Sequence, residues 1–295
     1  MIDFRDMELL AALAHHGHFA RAAEDCGISQ PAFSSRIRNI ELELGVPVVK
    51  RGNRFLGFTR EGEIALAWAR RMLLDREGLN QEIAEAKGAV AGRIRIGAVP
   101  TALSAVARAP RYLRSRHPKL TIEIISATSS EIRAGLEDFS LDAAVTYLDV
   151  PLPASCRSEL LYQERYVLLL PPALAPRAKG AICWADAARL PLCLLTGNMR
   201  NRRIVDEAFA AVGAVPKPVM ESNSVTAALL QVIAGTAVTI APELLAGSLP
   251  LGGEIVALEL IEPRVEKPMG LVISDREPML PAVRGFAEAM RRAKL

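Results

Sequence analysis

The sequence has little of what most covalent chemistry needs. Its 295 residues include only four histidines; His15, His16 and His18 crowd into one short stretch, and His117 is the other. No GxSxG elbow, GxxxxGK[ST] loop or HExxH pair occurs, which removes the usual frames for an activated serine, a cradled nucleotide or a helix-borne zinc. No catalytic residue is assigned, and a histidine-poor α/β enzyme stays as the alternative from another class. The HHGH run lies at a helix end, where surface histidines account for it, so no metal and no cofactor are expected.

Cysteine is scarce as well. Cys26, Cys156, Cys183 and Cys193 show neither CxxC spacing nor a zinc-like pattern. Buried thiols are the plain reading, with a redox-sensing pair of Cys183 and Cys193 as the alternative. Long apolar runs are missing too: no stretch reaches the roughly eighteen residues of a membrane span. The opening MIDFRDMELLAAL has no basic segment ahead of an apolar run, so a cytoplasmic protein without a membrane partner is expected. No repeat of fixed period and no low-complexity tract is present.

What is there is a globular composition, 51% apolar and 23% charged, on a chain long enough for two or three domains. The net charge of +3 says less than its distribution. Residues 31 to 60 hold Arg36, Arg38, Lys50, Arg51, Arg54 and Arg60 against Glu41 and Glu43, whereas residues 1 to 30 are net acidic. Positive charge therefore gathers just after the first helices.

Phe4, Met7, Leu9, Leu10 and Leu13 fall at helical spacing after Asp3, and this helix ends near His16 and Gly17. Phe19, Ala22, Ala23 and Cys26 make a second. Ser29 precedes Gln30 and Pro31 as the cap of a third, which runs to Leu44 and stops at Gly45 and Pro47. Residues 46 to 60 read as a two-stranded hairpin about Gly52 and Asn53. From Glu61 to Lys87 the apolar positions Ile64, Trp68, Met72, Leu79 and Ile83 define one helix, about 40 Å long at 1.5 Å per residue. So long a seam needs a partner, and a second copy of the same helix is the simplest.

Beyond a linker at 88 to 92, strands and helices alternate. RIRIGA, LTIEIIS, LDAAVTY, YVLLLP, LPLCLL, KPVME and AVTIAP read as strands, and 102–115, 130–138, 200–212, 224–235 and 280–293 as helices. That alternation predicts a mostly parallel sheet covered on both faces, in two α/β lobes.

Two helices across a tight turn, with Ala23 at their contact and Ile28, Phe33 and Ile37 facing inward, form a helix-turn-helix pattern. Its outer face carries Ser29, Gln30, Pro31, Ser34, Ser35, Arg36 and Arg38, and Arg51 and Arg54 follow on the hairpin. Hydroxyls and N–H groups at a helix start bind phosphate, glutamine can read adenine, and arginine can read guanine or neutralise phosphate. An αα-hairpin in any bundle looks similar; the basic hairpin and the long pairing helix after it favour a winged helix on a dimer.

At these residues the chain resembles the LysR-type transcriptional regulators. Ala22-Ala23, Ser29-Gln30-Pro31-Ala32, Ser34, Ile37, Glu41, Leu44-Gly45, Arg51 and Thr59-Arg60-Glu61-Gly62 match the family's pattern in order, while Val48-Val49 stand where Leu-Phe is usual and Phe33 where a smaller aliphatic is usual. The resemblance continues through GRIRIGAV, HPKLTIEI, LDAAV and ERYVLLLP; the family's AGLGxxxxP segment is here Ala234 to Pro242, with Ala237 in place of its second glycine. It implies an α/β protein of three parts: a winged helix-turn-helix over 1–60, a linker and dimerisation helix over 61–88, and a periplasmic-binding-protein-like effector domain over 89–295. Lobe one would be about 93–162 plus 267–295, and lobe two about 163–266. It implies double-stranded DNA with a dyad-symmetric operator as partner, a homodimer or homotetramer, RNA polymerase as a further candidate partner, and a small-molecule effector.

In α/β lobes, ligands bind beyond the carboxyl ends of strands, where helix starts converge. Thr101, Thr128, Ser129, Thr146 and Asn198 stand at such ends, and Arg200, Arg202 or Arg203 could supply a countercharge. Each of the polar residues also suits a helix cap, and the arginines also suit a solvated face. Hydroxyls and amides at helix starts favour a small carboxylate or inorganic oxyanion.

Overall fold

The computed structural model describes residues 1–50, 52, 55–175, 180–248 and 253–293, and the chain divides into two compact units. The first comprises Met1–Gly92 with Asp138–Ser140; the second comprises Arg93–Glu137 and Leu141–Leu295.

In the first unit, α1 (Phe4–His16), α2 (Phe19–Asp25) and α3 (Gln30–Leu44) precede the long α4 (Arg60–Ala86). Asp3 and Asp6 close a capping box at the start of α1, and the Ser29 hydroxyl accepts from Ala32 N at 3.4 Å at the start of α3. Gly45 ends α3 at φ 71°, a conformation that disfavours any side chain. Leu9, Leu10, Leu13, Ala22, Ala23, Phe33, Ile37, Ile40, Leu66 and Ala69 form the core. Phe33 is absorbed by an aromatic group: its ring meets Phe19 edge-on at 5.9 Å, Phe19 meets Phe55 at 6.1 Å, and Phe55 meets Phe58 at 5.3 Å.

The expected hairpin is present in its flanks. Val49 bridges Phe58 antiparallel, Lys50 N donates to Gly57 O at 2.9 Å, and Thr59 N donates to Val48 O at 3.0 Å. Thr59 then links the wing to α4, donating to Pro47 O at 2.6 Å and accepting from Gly62 N at 2.9 Å. A Cβ on Gly62 would overlap the Val48 carbonyl, so the Thr-x-x-Gly spacing serves a close backbone approach.

The second unit begins at the strand β1 (Gly92–Ala98), followed by a single turn at Pro100–Ala102, α5 (Leu103–Val106) and α6 (Ala109–Arg116). The continuous helix expected over 102–115 is therefore broken. Pro110, in the first turn of α6, has no N–H to carry a helix through that point. Then come β2 (Leu120–Ser126), α7 (Ser129–Glu137), β3 (Ala143–Tyr147) and the fifteen-residue β4 (Cys156–Leu170). A second group follows: β5 (Ala181–Cys183), α8 (Trp184–Ala187), β6 (Cys193–Leu195), α9 (Arg200–Ala211), β7 (Met220–Ser222), α10 (Val225–Ile233), β8 (Thr239–Pro242), α11 (Glu243–Ser248) and β9 (Val256–Ile261). The chain returns through β10 (Glu266–Ser274) and ends on α12 (Pro281–Arg292).

The large sheet runs β2-β1-β3-β10-β4-β9-β5, with β8 also on β4, and β6 pairs with β7 separately. It is not mostly parallel. β1 with β3, β5 with β9 and β6 with β7 are parallel, but β10 pairs antiparallel with β3 and β4, and β4 pairs antiparallel with β8 and β9. The cause is that β4 and β10 are the two crossings between lobes. One end of β4, Cys156–Arg165, pairs with β10, and the other, Tyr166–Leu170, pairs with the second lobe's strands.

Candidate functional site

The outer face of α3 is polar and open. Ser29, Gln30, Pro31, Ser35 and Arg38 are exposed and Ser34 is half-buried. Arg36 is placed differently from the expectation that it reaches a groove. Its Nε donates to Asp6 Oδ1 at 2.9 Å and its Nη2 to Asp3 Oδ1 at 3.2 Å, so it ties α3 to the start of α1. The amphipathic pattern marked Arg36 as surface but could not show that two aspartates from the first helix wait beside it. Arg51 and Arg54 lie outside the described residues.

On α4 the buried positions Leu66 and Ala69 look inward, while the apolar positions named for dimerisation do not. Ile64, Trp68, Met72, Leu79 and Ile83 are 42% to 58% exposed along the opposite stripe. Exposing five large apolar side chains at helical spacing forgoes several kcal/mol of burial, about 1.5–3 kcal/mol for each one fully covered.

In the second unit, Val99, Thr101, Thr128, Ser129, Tyr147, Leu195, Met199, Arg200 and Asn201 line a partly open cleft. Its walls come from both lobes: the turn after β1, the starts of α7 and α9, and the ends of β3 and β6. Thr101, Thr128 and Ser129 thus stand where the strand-end argument placed them. Thr146 lies just behind, buried, its hydroxyl donating to Ser129 Oγ at 3.4 Å. Two expected residues are elsewhere. Asn198 is exposed and accepts from the Thr196 hydroxyl at 2.7 Å. Arg202 faces away, donating to Leu195 O at 2.7 Å and Asp206 Oδ1 at 2.9 Å and pairing with Glu221. Asn198 lies in the turn before α9, and at 3.6 residues per turn Arg202 points about 200° away from Arg200; Arg200 and Asn201 are the residues that face the cavity.

Arg200 does not bring an unopposed charge. Asp149 lies 2.7 Å from its guanidinium and Glu207 2.8 Å, and Lys267 stands 3.5 Å from Asp149. The hydrogen bond that Arg200 donates to Asp149 leads the effects that hold Arg200 charged, and although burial pushes Asp149 up, Arg200 and Lys267 hold it below the usual carboxylate range. Asn201 is 5% exposed, and its amide nitrogen Nδ2 has no hydrogen-bond partner. An unsatisfied buried donor costs about 1–3 kcal/mol, which an incoming acceptor would recover.

Beneath the pocket lies a cluster that sequence reading missed. Glu164, 1% exposed on β4, accepts from Tyr147 Oη at 2.5 Å and from Tyr166 Oη at 2.8 Å. Tyr147 Oη is in turn 3.1 Å from Thr101 Oγ1. Burial raises the Glu164 carboxyl to about 7, opposed by those hydroxyls. The only sequence signal was a glutamate among the aromatic and apolar residues of a buried strand.

The remaining candidates stay apart from the pocket. All four cysteines are free; Cys183, on β5, donates to Asp186 at 3.2 Å, and Cys193 is buried on the separate β6. Burial pushes the thiols of Cys26, Cys156 and Cys193 up. His18 caps α2, accepting from Ala20 N at 3.2 Å, and His16 pairs with Asp25 at 3.2 Å. Among the described residues no group of histidine, cysteine and carboxylate could hold a metal ion, and no helix is long and apolar enough to cross a membrane.

Comparison with known proteins decides between the classes. Residues 4–63 match the bacterial regulatory helix-turn-helix protein, lysR family, and residues 87–294 match the LysR substrate binding domain. The chain belongs to the LysR family. This LysR regulator is a DNA-binding transcriptional regulator and not an enzyme. It is 28% identical over 302 residues to the DNA-binding transcriptional dual regulator OxyR of Escherichia coli strain K12, covering 98% of this chain and 95% of that one. It is 30% identical over 261 residues to the HTH-type transcriptional regulator BbuR of Bordetella bronchiseptica, covering 83% and 79%. Among solved structures, full-length OxyR from Pseudomonas aeruginosa superposes with a TM-score of 0.79 at 24% identity, covering 100% of this chain and 96% of that one. Full-length CbnR with its target DNA superposes with a TM-score of 0.67 at 24% identity, covering 99% and 100%. These last likenesses establish the shared fold.

Proposed function

We propose that this LysR regulator reads a dyad-symmetric operator in the cytoplasm through α3, pairs through α4, and changes its DNA binding when a small anion fills the pocket lined by Thr101, Thr128, Ser129, Arg200 and Asn201. Ser29, Gln30, Ser34, Ser35 and Arg38 supply the contacts to bases and phosphates, and Arg51 and Arg54 add contacts to phosphates. Pro31 sets the start of α3, and Arg36 holds α3 at its angle to α1. The exposed stripe of Ile64, Trp68, Met72, Leu79 and Ile83 is covered by the same stripe of a second copy, which gives the two reading heads one axis of symmetry. Further pairing of dimers gives the tetramer that the resemblance implies.

The observation that carries the effector reading is Asn201 Nδ2, a buried donor without a partner at the rim of a hydroxyl-lined cavity. Because Arg200 is balanced by Asp149 and Glu207, the pocket suits a singly charged small carboxylate or oxyanion better than a multiply charged one. An anion binding across both lobes changes their preferred orientation and hence the spacing of the reading heads. Titration calorimetry of the full-length protein against short carboxylates and inorganic oxyanions tests this. Heat from an anion, abolished by Asn201→Leu, supports it; tight binding of a neutral aromatic with no response to any anion refutes it.

Other relatives, 28% identical, carry the name hydrogen peroxide-inducible genes activator, which favours a thiol sensor through Cys183 and Cys193 as the second reading. The two lie on strands of separate sheets, and burial raises the Cys193 thiol. The anion pocket has the better support.

A further inference from the structure

The pocket's hydroxyls differ in which of them still has a proton to give. Tyr147 and Tyr166 both donate to Glu164 Oε1, at 2.5 and 2.8 Å. A phenol has one proton, so Tyr147 has none left for Thr101, and the 3.1 Å contact between Thr101 Oγ1 and Tyr147 Oη is made with the Thr101 proton. Protonation of Glu164 does not reverse this order, because a proton on the unpartnered Oε2 leaves Oε1 an acceptor. Thr101 therefore offers the cavity only lone pairs. Thr128 offers the cavity neither, because its hydroxyl donates to Glu131 Oε2 at 2.8 Å while accepting from Glu131 N at 3.3 Å and from the Ser130 hydroxyl at 3.0 Å. Opposite them, Ser129 accepts from Thr146 and keeps its own proton, and Asn201 Nδ2 is an unpartnered donor. The cavity thus has an acceptor at Thr101 and donors at Ser129 and Asn201.

We infer that the Glu164–Tyr147 pair makes Thr101 a specificity-determining acceptor, so that the effector is a small anion carrying its own O–H donor, a short hydroxy acid or a still-protonated oxyanion, and not one whose oxygens are all acceptors. This rests on the anion reading above and narrows it. An anion without a donor would set its lone pairs against those of the buried Thr101, and leaving a buried acceptor unpaired is the strongest means a pocket has of rejecting a near-isostere.

Two matched pairs of probes isolate the proton. Lactate and pyruvate share carbon number and charge and differ in a hydroxyl against a carbonyl. Inorganic phosphate near pH 8 and sulfate share shape and a double negative charge and differ in one bound proton. Titration calorimetry of the full-length dimer is expected to show lactate over pyruvate, or phosphate over sulfate, by tenfold or more in Kd; whichever pair responds identifies the source. Tyr147→Phe removes the group that takes the Thr101 proton and frees that hydroxyl to donate, so discrimination should fall to within about twofold. Thr101→Val removes the acceptor without touching the Glu164 cluster and should do the same. Equal affinity for the two members of a pair in the native protein, or discrimination unchanged in both variants, overturns the inference and leaves the anion pocket standing. No binding of any of the four overturns the anion reading and the inference with it.

Discussion

Replacing Glu164 with glutamine should flatten the dependence of stability on pH in the second unit. The residue is buried on β4, and the groups facing it are the hydroxyls of Tyr147, Tyr166 and Thr101 and the ring of Tyr162, whose own hydroxyl is buried without a partner. Lys267 is its register partner on β10, but the Lys267 amine lies 3.5 Å from Asp149. No cation therefore offsets the charge. Burial lifts the carboxyl from 4.5 to about 7, so the folded chain holds this proton more tightly than the unfolded chain. The resulting stabilisation is complete below pH 4.5 and is lost as pH rises through 7; at about 1.4 kcal/mol per pH unit, the interval is worth about 3 kcal/mol. Glutamine keeps an oxygen for the two tyrosines and never ionises. Urea unfolding followed by the fluorescence of the buried Trp184, between pH 5 and pH 8, should show the variant gaining on the native protein by up to about 3 kcal/mol as pH rises. Two stability curves that stay parallel across that range would refute both the raised carboxyl and its cause.

Other substitutions test the first unit. Gly62→Ala forces a methyl against the Val48 carbonyl and should cost about 1–3 kcal/mol in the thermal stability of the DNA-binding unit, with Ala65→Gly on the same helix costing only about 1 kcal/mol. The double change Trp68→Glu and Leu79→Glu should shift sedimentation toward monomer without loss of helix in circular dichroism; an unchanged assembly would show that the exposed stripe of α4 is not the seam. Arg38→Ala should weaken operator binding across sequences and lower the slope of log affinity against log salt by about 1. Arg36→Ala should act instead through the α1–α3 tie, costing about 1 kcal/mol of stability with the salt slope unchanged, and a slope that fell as for Arg38 would show that Arg36 reaches the DNA.

What could be read in advance, and what could not, follows from the range of the interactions. Caps and periodicity are local, so the helices ending at Gly17 and Gly45, the inward Ala23, Phe33 and Ile37 and the outward Trp68 and Leu79 were legible from spacing alone. β10 was not: Pro268 and Gly270 interrupt its pattern, and what makes it a strand is two distant neighbours, β3 and β4, close enough that a Cβ on Gly270 would collide with Leu148 and the Glu159 carbonyl. The half of β4 from Cys156 to Gln163 was missed for a related reason, since a crossing strand that is half-exposed carries no apolar run. The pocket divides along the same line. Thr101, Thr128 and Ser129 stand at strand ends and could be placed by topology, whereas choosing Arg200 over Arg202 depended on the rotation of α9, and replacing Asn198 by Asn201 depended on where the helix starts. Chemistry is the least local of all. Thr101 is a hydroxyl in any reading of the sequence, and it becomes an acceptor only because Tyr147, 46 residues on, has given its proton to Glu164, 17 residues further. A list of pocket-lining residue types treats every hydroxyl as able to donate; the direction of each hydrogen bond decides which ligand the list can hold.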